Sequence, residues 1–127
     1  MLFQKILLFF CLFNSWQFSF AQNVLDLERQ ARGIVSRMGT VVPIKSGRDM
    51  TLISVEQAGI VVLYNHTIDA SVPPENFVLL ADWLRGQSNK SACSVEDLVR
   101  FVRSGGALHY RFYSNGMLIS SVKIDRC

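Results

Sequence analysis

Residues 107–124, ALHYRFYSNGMLISSVKI, decide the fold, because two stretches with alternating apolar residues flank Asn115-Gly116. This pattern predicts a β-hairpin with strands over Ala107–Tyr113 and Met117–Ile124. A two-residue turn at Asn115-Gly116 is the usual form for such a hairpin. With that turn, however, both faces would mix apolar and charged side chains, because a shift of one residue exchanges the faces of a strand.

A three-residue loop over Ser114, Asn115 and Gly116 separates the two faces. We therefore predict a type I turn with Gly116 in the left-handed conformation of a G1 bulge, and a register that pairs Phe112 with Leu118. The apolar face of the predicted hairpin consists of Leu108, Tyr110, Phe112, Leu118, Val122 and Ile124.

The opposite face of the predicted hairpin is polar, and its candidate partner-binding residues are His109, Arg111, Ser121 and Lys123. One interpretation is that this face is the solvated side of two paired strands. The other is that it docks a partner protein or an anionic component of the envelope. The free edge of an outer strand offers a further possibility, the addition of an extended peptide.

The remaining elements follow from the apolar periodicity upstream of the hairpin. The predicted helices are 24–38, a second helix that Pro73-Pro74 can start and that runs up to Gly86, and 95–103 with Ser94 as a cap. The predicted strands are Met50–Val55 and Ile60–Ile68, and the predicted loops are Val41–Asp49 and Gln87–Ala92. The order is therefore α-β-β-α-α-β-β. Strand pairs joined by short turns favour an α+β fold, an antiparallel four-stranded sheet with helices on one face, in a single domain over 22–127.

The first 21 residues are predicted to be a signal peptide. Six of the nine phenylalanines of the chain lie within residues 1–20, and Lys5 precedes the apolar run Ile6–Phe13. Ser19-Phe20-Ala21 places small residues at positions −3 and −1 of a cut after Ala21, which completes the pattern of a secretory signal peptide. The apolar run is shorter than the roughly 20 residues that span a membrane. We expect export, cleavage after Ala21 and no integral membrane segment in the mature protein.

Cys11 raises the alternative of a lipid-modified protein. Lipid attachment generally needs small residues just before the cysteine, whereas Phe9 and Phe10 precede Cys11. We therefore expect no lipid at this position.

The two cysteines that follow the predicted signal peptide, Cys93 and Cys127, are expected to form a disulfide. An exported chain with two cysteines most simply pairs them. The bridge would close a loop of about 35 residues and stabilise the fold by about 3–4 kcal/mol through the unfolded state. The alternative, a reactive thiol, lacks a C-x-x-C pair or an adjacent histidine.

Charge and motifs argue against several classes of function. The formal net charge is +3 over 127 residues, and the cations are scattered rather than gathered in the basic stripe that nucleic-acid binding requires. The two histidines do not form H-x-x-x-H or H-E-x-x-H, and there is no G-x-S-x-G or phosphate-binding glycine loop. We expect no enzyme activity, no metal and no cofactor.

A set of short motifs resembles a loosely defined group of small exported bacterial proteins without assigned activity. The motifs are Asp49-Met50-Thr51-Leu52, Leu63-Tyr64-Asn65, Cys93, Gly105, Tyr110-Arg111-Phe112, Gly116, Ile119 and Cys127. The element order and single bridge are also similar to the small pilotin proteins that assist secretins in Gram-negative bacteria. Pilotins are typically lipidated, and this chain departs from them at that point. The resemblance implies a periplasmic or secreted α+β domain with one disulfide and no catalytic residues.

Together these features predict a non-enzymatic exported protein that binds another envelope protein, as an accessory factor of a secretion or transfer system. The alternative is an inhibitor or immunity protein directed against an envelope hydrolase. Such a protein would present a protruding loop, and Val41–Asp49, with Arg48 and Asp49, is the best candidate.

Overall fold

The computed structural model describes residues 22–127; the predicted signal peptide, its cleavage site after Ala21 and Cys11 lie outside the described residues. In chain order, these residues form helix α1 (22–39), strands β1 (Ile44–Gly47), β2 (Met50–Ala58) and β3 (Val61–Ile68), a 3-10 turn (Pro74–Asn76), helices α2 (Phe77–Ala92) and α3 (Glu96–Arg103), and strands β4 (Ala107–Ser114) and β5 (Met117–Ile124).

The strands form one five-stranded sheet in the order β1-β2-β3-β4-β5, in which β3 and β4 run parallel and the other neighbours antiparallel. The predicted four-stranded antiparallel sheet is therefore wrong. The chain between β3 and β4 contains α2 and α3, and such a crossover returns the chain to the end of the sheet where β3 began. Val61 and Ala107, the first residues of the two strands, are consequently paired.

The extra strand, β1, lies in the segment Val41–Asp49, for which the sequence predicts a loop. It is a sheet edge of four residues, all exposed, and it pairs Ile44 with Leu52 and Lys45 with Thr51. Because no residue of β1 is buried, the strand has no alternation of apolar and polar residues from which it could be predicted.

Helix α2 is longer than predicted and includes the segment Gln87–Ala92. Leu84, Ser88 and Ala92 are buried at intervals of four residues, so the same helix face continues, with small residues in place of large ones. Ser94 does not cap α3; its hydroxyl donates a hydrogen bond to the carbonyl oxygen of Ser91 (2.9 Å).

The hairpin has a two-residue turn, so the predicted three-residue loop and the pairing of Phe112 with Leu118 are wrong. Ser114 pairs with Met117, and both turn residues have positive φ, 49° at Asn115 and 76° at Gly116, as a type I′ turn requires. A bulge at Ile119 then shifts the register, so that Phe112 pairs with Ser120. The bulge keeps Val122 and Ile124 on the buried face, as predicted, but Leu118, which was expected on that face, pairs with Tyr113 and is exposed.

The core lies between the helices and one face of the sheet. Its buried residues are Leu27, Ala31 and Ile34 of α1, Leu84 and Ala92 of α2, Phe101 and Val102 of α3, and Leu52, Val55, Val62, Tyr64, Leu108, Tyr110, Phe112, Val122 and Ile124 of the sheet. This arrangement leaves the other face of the sheet without helices. None of the helices within residues 22–127 has both the length and the apolar content needed to cross a membrane.

The turn from α3 into β4 depends on Gly106. The ring of Phe101 is completely buried and covers this glycine, whose amide donates to the Phe101 carbonyl oxygen (3.0 Å). A Cβ atom at position 106 would lie 2.4 Å from Cζ of Phe101. The absence of a side chain therefore lets β4 start directly beneath α3.

Candidate functional site

A groove lies over the helix side of the sheet, between α1 and α2. It consists of two adjoining cavities of about 320 Å³ each, which share Ser46, His66, Ser91 and Tyr110. The groove is lined by Ile34, Arg37 and Met38 of α1; Trp83, Leu84, Gln87, Ser88 and Ser91 of α2; Val95, Asp97 and Leu98 around the start of α3; Leu52, Tyr64, His66, Tyr110 and Phe112 of the sheet; and Ser46, Gly47 and Met50 at the β1–β2 end. Cavities of this volume are typical of binding sites.

The floor of the groove is a row of stacked rings that the parallel pairing of β3 and β4 aligns. Tyr64 is the direct neighbour of Tyr110, and His66 that of Phe112. The centroids of Tyr64 and Tyr110 are 4.8 Å apart, and those of His66 and Phe112 are 4.7 Å apart. Such pairs contribute about 0.5–1.5 kcal/mol each beyond the burial of their area, so the stacking stabilises the floor.

His66 is the polar member of this row. Only 6% of the surface of His66 is exposed, and its Nδ1 is buried with no hydrogen-bond partner. Burial lowers the pKa of His66, and the backbone carbonyls of Tyr64 and Arg111, which would accept hydrogen bonds from the charged ring, oppose this only in part. The imidazole is therefore uncharged at neutral pH.

The two tyrosines of the floor also stay uncharged. Burial raises the pKa of Tyr64 to about 12, although the positive charge of Arg37 opposes the shift. Burial raises the pKa of Tyr110 as well, and Tyr64 adds to the effect. The floor is thus an uncharged aromatic surface.

Exposed apolar side chains extend from the groove along α2. Trp83 lines the groove and is 54% exposed, and Val78 and Leu79 one turn earlier are each 73% exposed. Contiguous apolar surface of this kind marks interaction sites more often than isolated exposed residues do.

The predicted disulfide between Cys93 and Cys127 is confirmed, with Cα atoms 5.4 Å apart. Cys93 directly follows α2, and Cys127 lies just beyond β5. Because Ser91 and Val95 flank Cys93 and line the groove, the bridge ties this corner of the groove wall to the last strand.

The predicted residues His109, Arg111, Ser121 and Lys123 lie together on the outer face of the sheet, the face without helices. His109 pairs across the strands with Lys123, Arg111 pairs with Ser121, and Nε2 of His109 contacts Oγ of Ser121. Burial lowers the pKa of His109, and the positive charges of Arg111 and Lys123 add to the shift. That this outer face binds a partner stays a prediction.

Arg111 is held in place by polar side chains of strands β3 and β2. Its Nε donates to Oδ1 of Asn65 (2.8 Å), and its Nη2 lies 3.5 Å from a carboxylate oxygen of Glu56. Asn65, itself buried, donates to Oγ of Ser54 (2.9 Å). These contacts engage Arg111 within the sheet, which leaves Lys123 as the more accessible cation of the outer face.

Arg48 and Asp49 form the turn between β1 and β2, at one edge of the sheet. The four outer-face residues lie on β4 and β5, toward the other edge. Gly47 and Met50 pair directly, so this turn is only two residues long and both residues are exposed. Asp69 links β1 and β2 by accepting hydrogen bonds from Nζ of Lys45 (2.7 Å) and Oγ1 of Thr51 (3.0 Å). These two bonds lower the pKa of Asp69. A tight turn on paired strands differs from the long protruding loop that the inhibitor hypothesis requires.

In the part of the chain that the structure describes, no three histidine, cysteine, aspartate or glutamate side chains come close enough to hold a metal ion.

Comparison with known proteins finds likeness in structure but not in sequence. No protein-family profile and no curated protein matches the chain. Three solved structures do. A candidate secreted protein from Pseudomonas aeruginosa has a TM-score of 0.67 and 15% identity, over 81% of this chain and 92% of that one. The pilotin EpsS of the Vibrio vulnificus type 2 secretion system has a TM-score of 0.68 and 16% identity, over 82% and 92%. The type II secretion pilotin AspS from Vibrio cholerae has a TM-score of 0.67 and 18% identity, over 84% and 94%.

The chain has the fold of these pilotins. At identities this low, the likeness concerns the fold alone, and at that level the resemblance to pilotins seen in the sequence is confirmed.

The sequence does not reveal the groove, because its lining residues come from five parts of the chain. The available signal was the run of aromatic and histidine residues at alternate positions, Tyr64 and His66 in one strand and Tyr110 and Phe112 in the other. Only the parallel register brings these two pairs side by side.

Proposed function

We propose that the protein is an exported accessory factor of an envelope secretion system, and that it binds a helical segment of a partner envelope protein in the groove. It works in the periplasm or outside the cell and has no catalytic activity of its own. The observation that supports this function is the open groove, with its aromatic floor and mainly apolar walls, on a chain with the fold of two type II secretion pilotins.

A helix suits this groove better than an extended peptide. Most of the wall side chains belong to α1 and α2, whose backbone groups are engaged within the helices, and only the end at Ser46 and Gly47 borders a sheet edge. An extended peptide would therefore leave its own backbone N–H and C=O groups unpaired over an apolar floor, which is costly. A helix satisfies these groups internally and presents one apolar face to the groove.

The charges around the groove specify the occupant further. Among the described lining residues, the charged ones are Arg37 and Asp97, both in the cavity next to α3. The lining of the other cavity, which includes Trp83 and Met50, carries no charged side chain. We therefore expect an amphipathic helix whose buried face is uncharged, with any charged residue placed toward Arg37 and Asp97.

The test measures the affinity of the purified protein for the secretin of the same bacterium, since pilotins are the proteins that assist secretins. The groove variants are Met38→Arg and Gln87→Arg, which place a cation in one wall or the other. We expect at least about tenfold weaker binding for each, equivalent to 1.4 kcal/mol, because the bound helix would bury the added charge. Surface plasmon resonance gives the affinities.

The matched control is Ser36→Arg, which adds the same charge to an exposed position of α1 outside the groove. It should bind as the wild type does. The double variant Arg111→Glu and Lys123→Glu probes the outer face. Loss of binding in that double variant, with Met38→Arg unaffected, would place the partner on the outer face and contradict the proposal.

A further inference from the structure

The inference concerns His66 and rests on the proposed function. His66 lines both cavities and lies at their junction. Its ring stacks on Phe112 at 4.7 Å and on Tyr110 at 5.7 Å. A polar side chain thus sits at the centre of an otherwise aromatic floor, at the point that any occupant of the whole groove must cross.

The unpartnered Nδ1 of His66 is unusual for a buried polar atom. The great majority of buried polar side-chain atoms have a hydrogen-bond partner, and an atom without one requires an explanation. The stacked neighbours hold the plane of the ring, and in this orientation Nδ1 has no partner among the described residues. Nδ1 itself is buried, so it is the ring of His66, which lines both cavities, that brings hydrogen-bonding capacity to the groove.

We propose that His66 is the polar recognition point of the groove, and that it forms a hydrogen bond with a side-chain hydroxyl or carboxamide on the apolar face of the bound helix. The favoured occupant is therefore an amphipathic helix with one serine, threonine, asparagine or glutamine among its buried apolar residues.

The chemistry of an uncharged imidazole supports this assignment. It has one N–H donor and one acceptor nitrogen, and hydroxyl and carboxamide groups supply both complementary functions. A half-turn about χ2 exchanges Nδ1 with Cδ2 and keeps the ring plane, so the nitrogen can meet an incoming group without loss of the stacking. A carboxylate on the occupant is disfavoured, because it would be buried against a neutral ring and two neutral tyrosines.

The test selects binders from a phage-displayed library of random peptides against the wild-type protein. Peptides that no longer bind Met38→Arg are retained as groove binders. In these we expect one conserved polar position, occupied by serine, threonine, asparagine or glutamine, within an apolar helical pattern. Replacing that residue by alanine or leucine should weaken binding to the wild type about tenfold.

The His66 variants show whether the two groups interact. His66→Phe keeps a stacked ring without the nitrogens, and we expect it to bind the selected peptides about tenfold more weakly. When the polar residue of the peptide is replaced by alanine or leucine, its affinity for His66→Phe should fall no further, as a double-mutant cycle requires for two groups that interact. His66→Gln should recover part of the affinity. The matched control is His109→Phe, the same change on the outer face, which should leave the affinity unchanged.

The possible failures have different consequences. Groove binders that lack a polar position and bind His66→Phe as tightly as the wild type would overturn the role of His66 and leave the proposed function intact. If no selected peptide depends on Met38, the groove is not a peptide site, and the proposed function fails together with the inference.

Discussion

Replacing His66 by phenylalanine should make the free protein more stable, although the same change should weaken partner binding. The variant keeps a ring stacked between Tyr110 and Phe112 and removes the buried, unpartnered Nδ1. Leaving a buried polar atom unsatisfied costs about 1–3 kcal/mol. The larger phenyl ring offsets part of this gain, because added atoms in a packed site are themselves unfavourable.

The net gain worked from these terms is about 1 kcal/mol in the free energy of unfolding. For a domain of this size it corresponds to a rise of about 4 °C in the melting temperature. Urea denaturation and calorimetry at pH 8, where both histidines are uncharged, measure the two quantities. His109→Phe is the control, because His109 contacts Ser121 and has no buried unpartnered atom; it should bring no gain.

The difference between His66→Phe and the wild type should grow as the pH falls. The pKa of His66 is lowered in the folded state, so the unfolded chain takes up a proton first, near its ordinary pKa of about 6.5. Protonation therefore favours the unfolded wild type below that pH, and stability is lost as the pH falls from about 7 toward the folded-state pKa. The variant lacks this contribution. Equal pH dependence in the two proteins, or a variant less stable by 1 kcal/mol at pH 8, would refute the reasoning.

Three further substitutions test the framework around the groove. Replacing both Cys93 and Cys127 by serine should lower the free energy of unfolding by about 3–4 kcal/mol in urea titrations, because the unfolded chain is no longer restricted by the closed loop. A loss below about 1 kcal/mol would contradict this contribution of the bridge. Gly106→Ala should cost about 1–3 kcal/mol or more in thermal melts, because its Cβ would collide with the buried ring of Phe101, and an unchanged melting temperature would contradict the packing described. Asn65→Ala should cost about 1–3 kcal/mol by equilibrium unfolding, since it removes the hydrogen-bond partner of two side chains; a neutral effect would show that water replaces it.

The parts of the fold that the sequence predicts well are those in which neighbouring residues set the pattern. The hairpin strands, α1 and α3 follow from local periodicity. The grouping of Tyr110 with Val122 on the buried face was correct although the turn was not. The burial of one face fixes that Val122 and Ile124 point inward, and both a bulge at Ile119 and a longer loop achieve this; the two differ at Leu118, which the bulge leaves exposed.

The parallel pair and the edge strand were missed for different physical reasons. Strand β1 buries none of its residues, so it carries no periodic signal. The direction of β4 relative to β3 depends on the path of the chain through α2 and α3, which local pattern does not specify. The presence of two helices between two strands was the available clue, since such a crossover commonly joins parallel strands.

The residues of the candidate sites also differ in how well the sequence predicts their position. His109, Arg111, Ser121 and Lys123 were predicted to share a face because they belong to a single hairpin, and the structure brings them together. The groove depends on the parallel register and on the spacing of α1 and α2, so His66 could be placed in a strand but not at a binding surface.

The most direct test of the central claim is hydrogen–deuterium exchange of the protein with and without the secretin. Binding in the groove should slow exchange in peptides that cover α1 and residues 83–98, and leave the peptides of β5 unchanged. Protection confined to the β4–β5 hairpin, or no protection at saturating secretin, would contradict the assignment of the groove as the binding site.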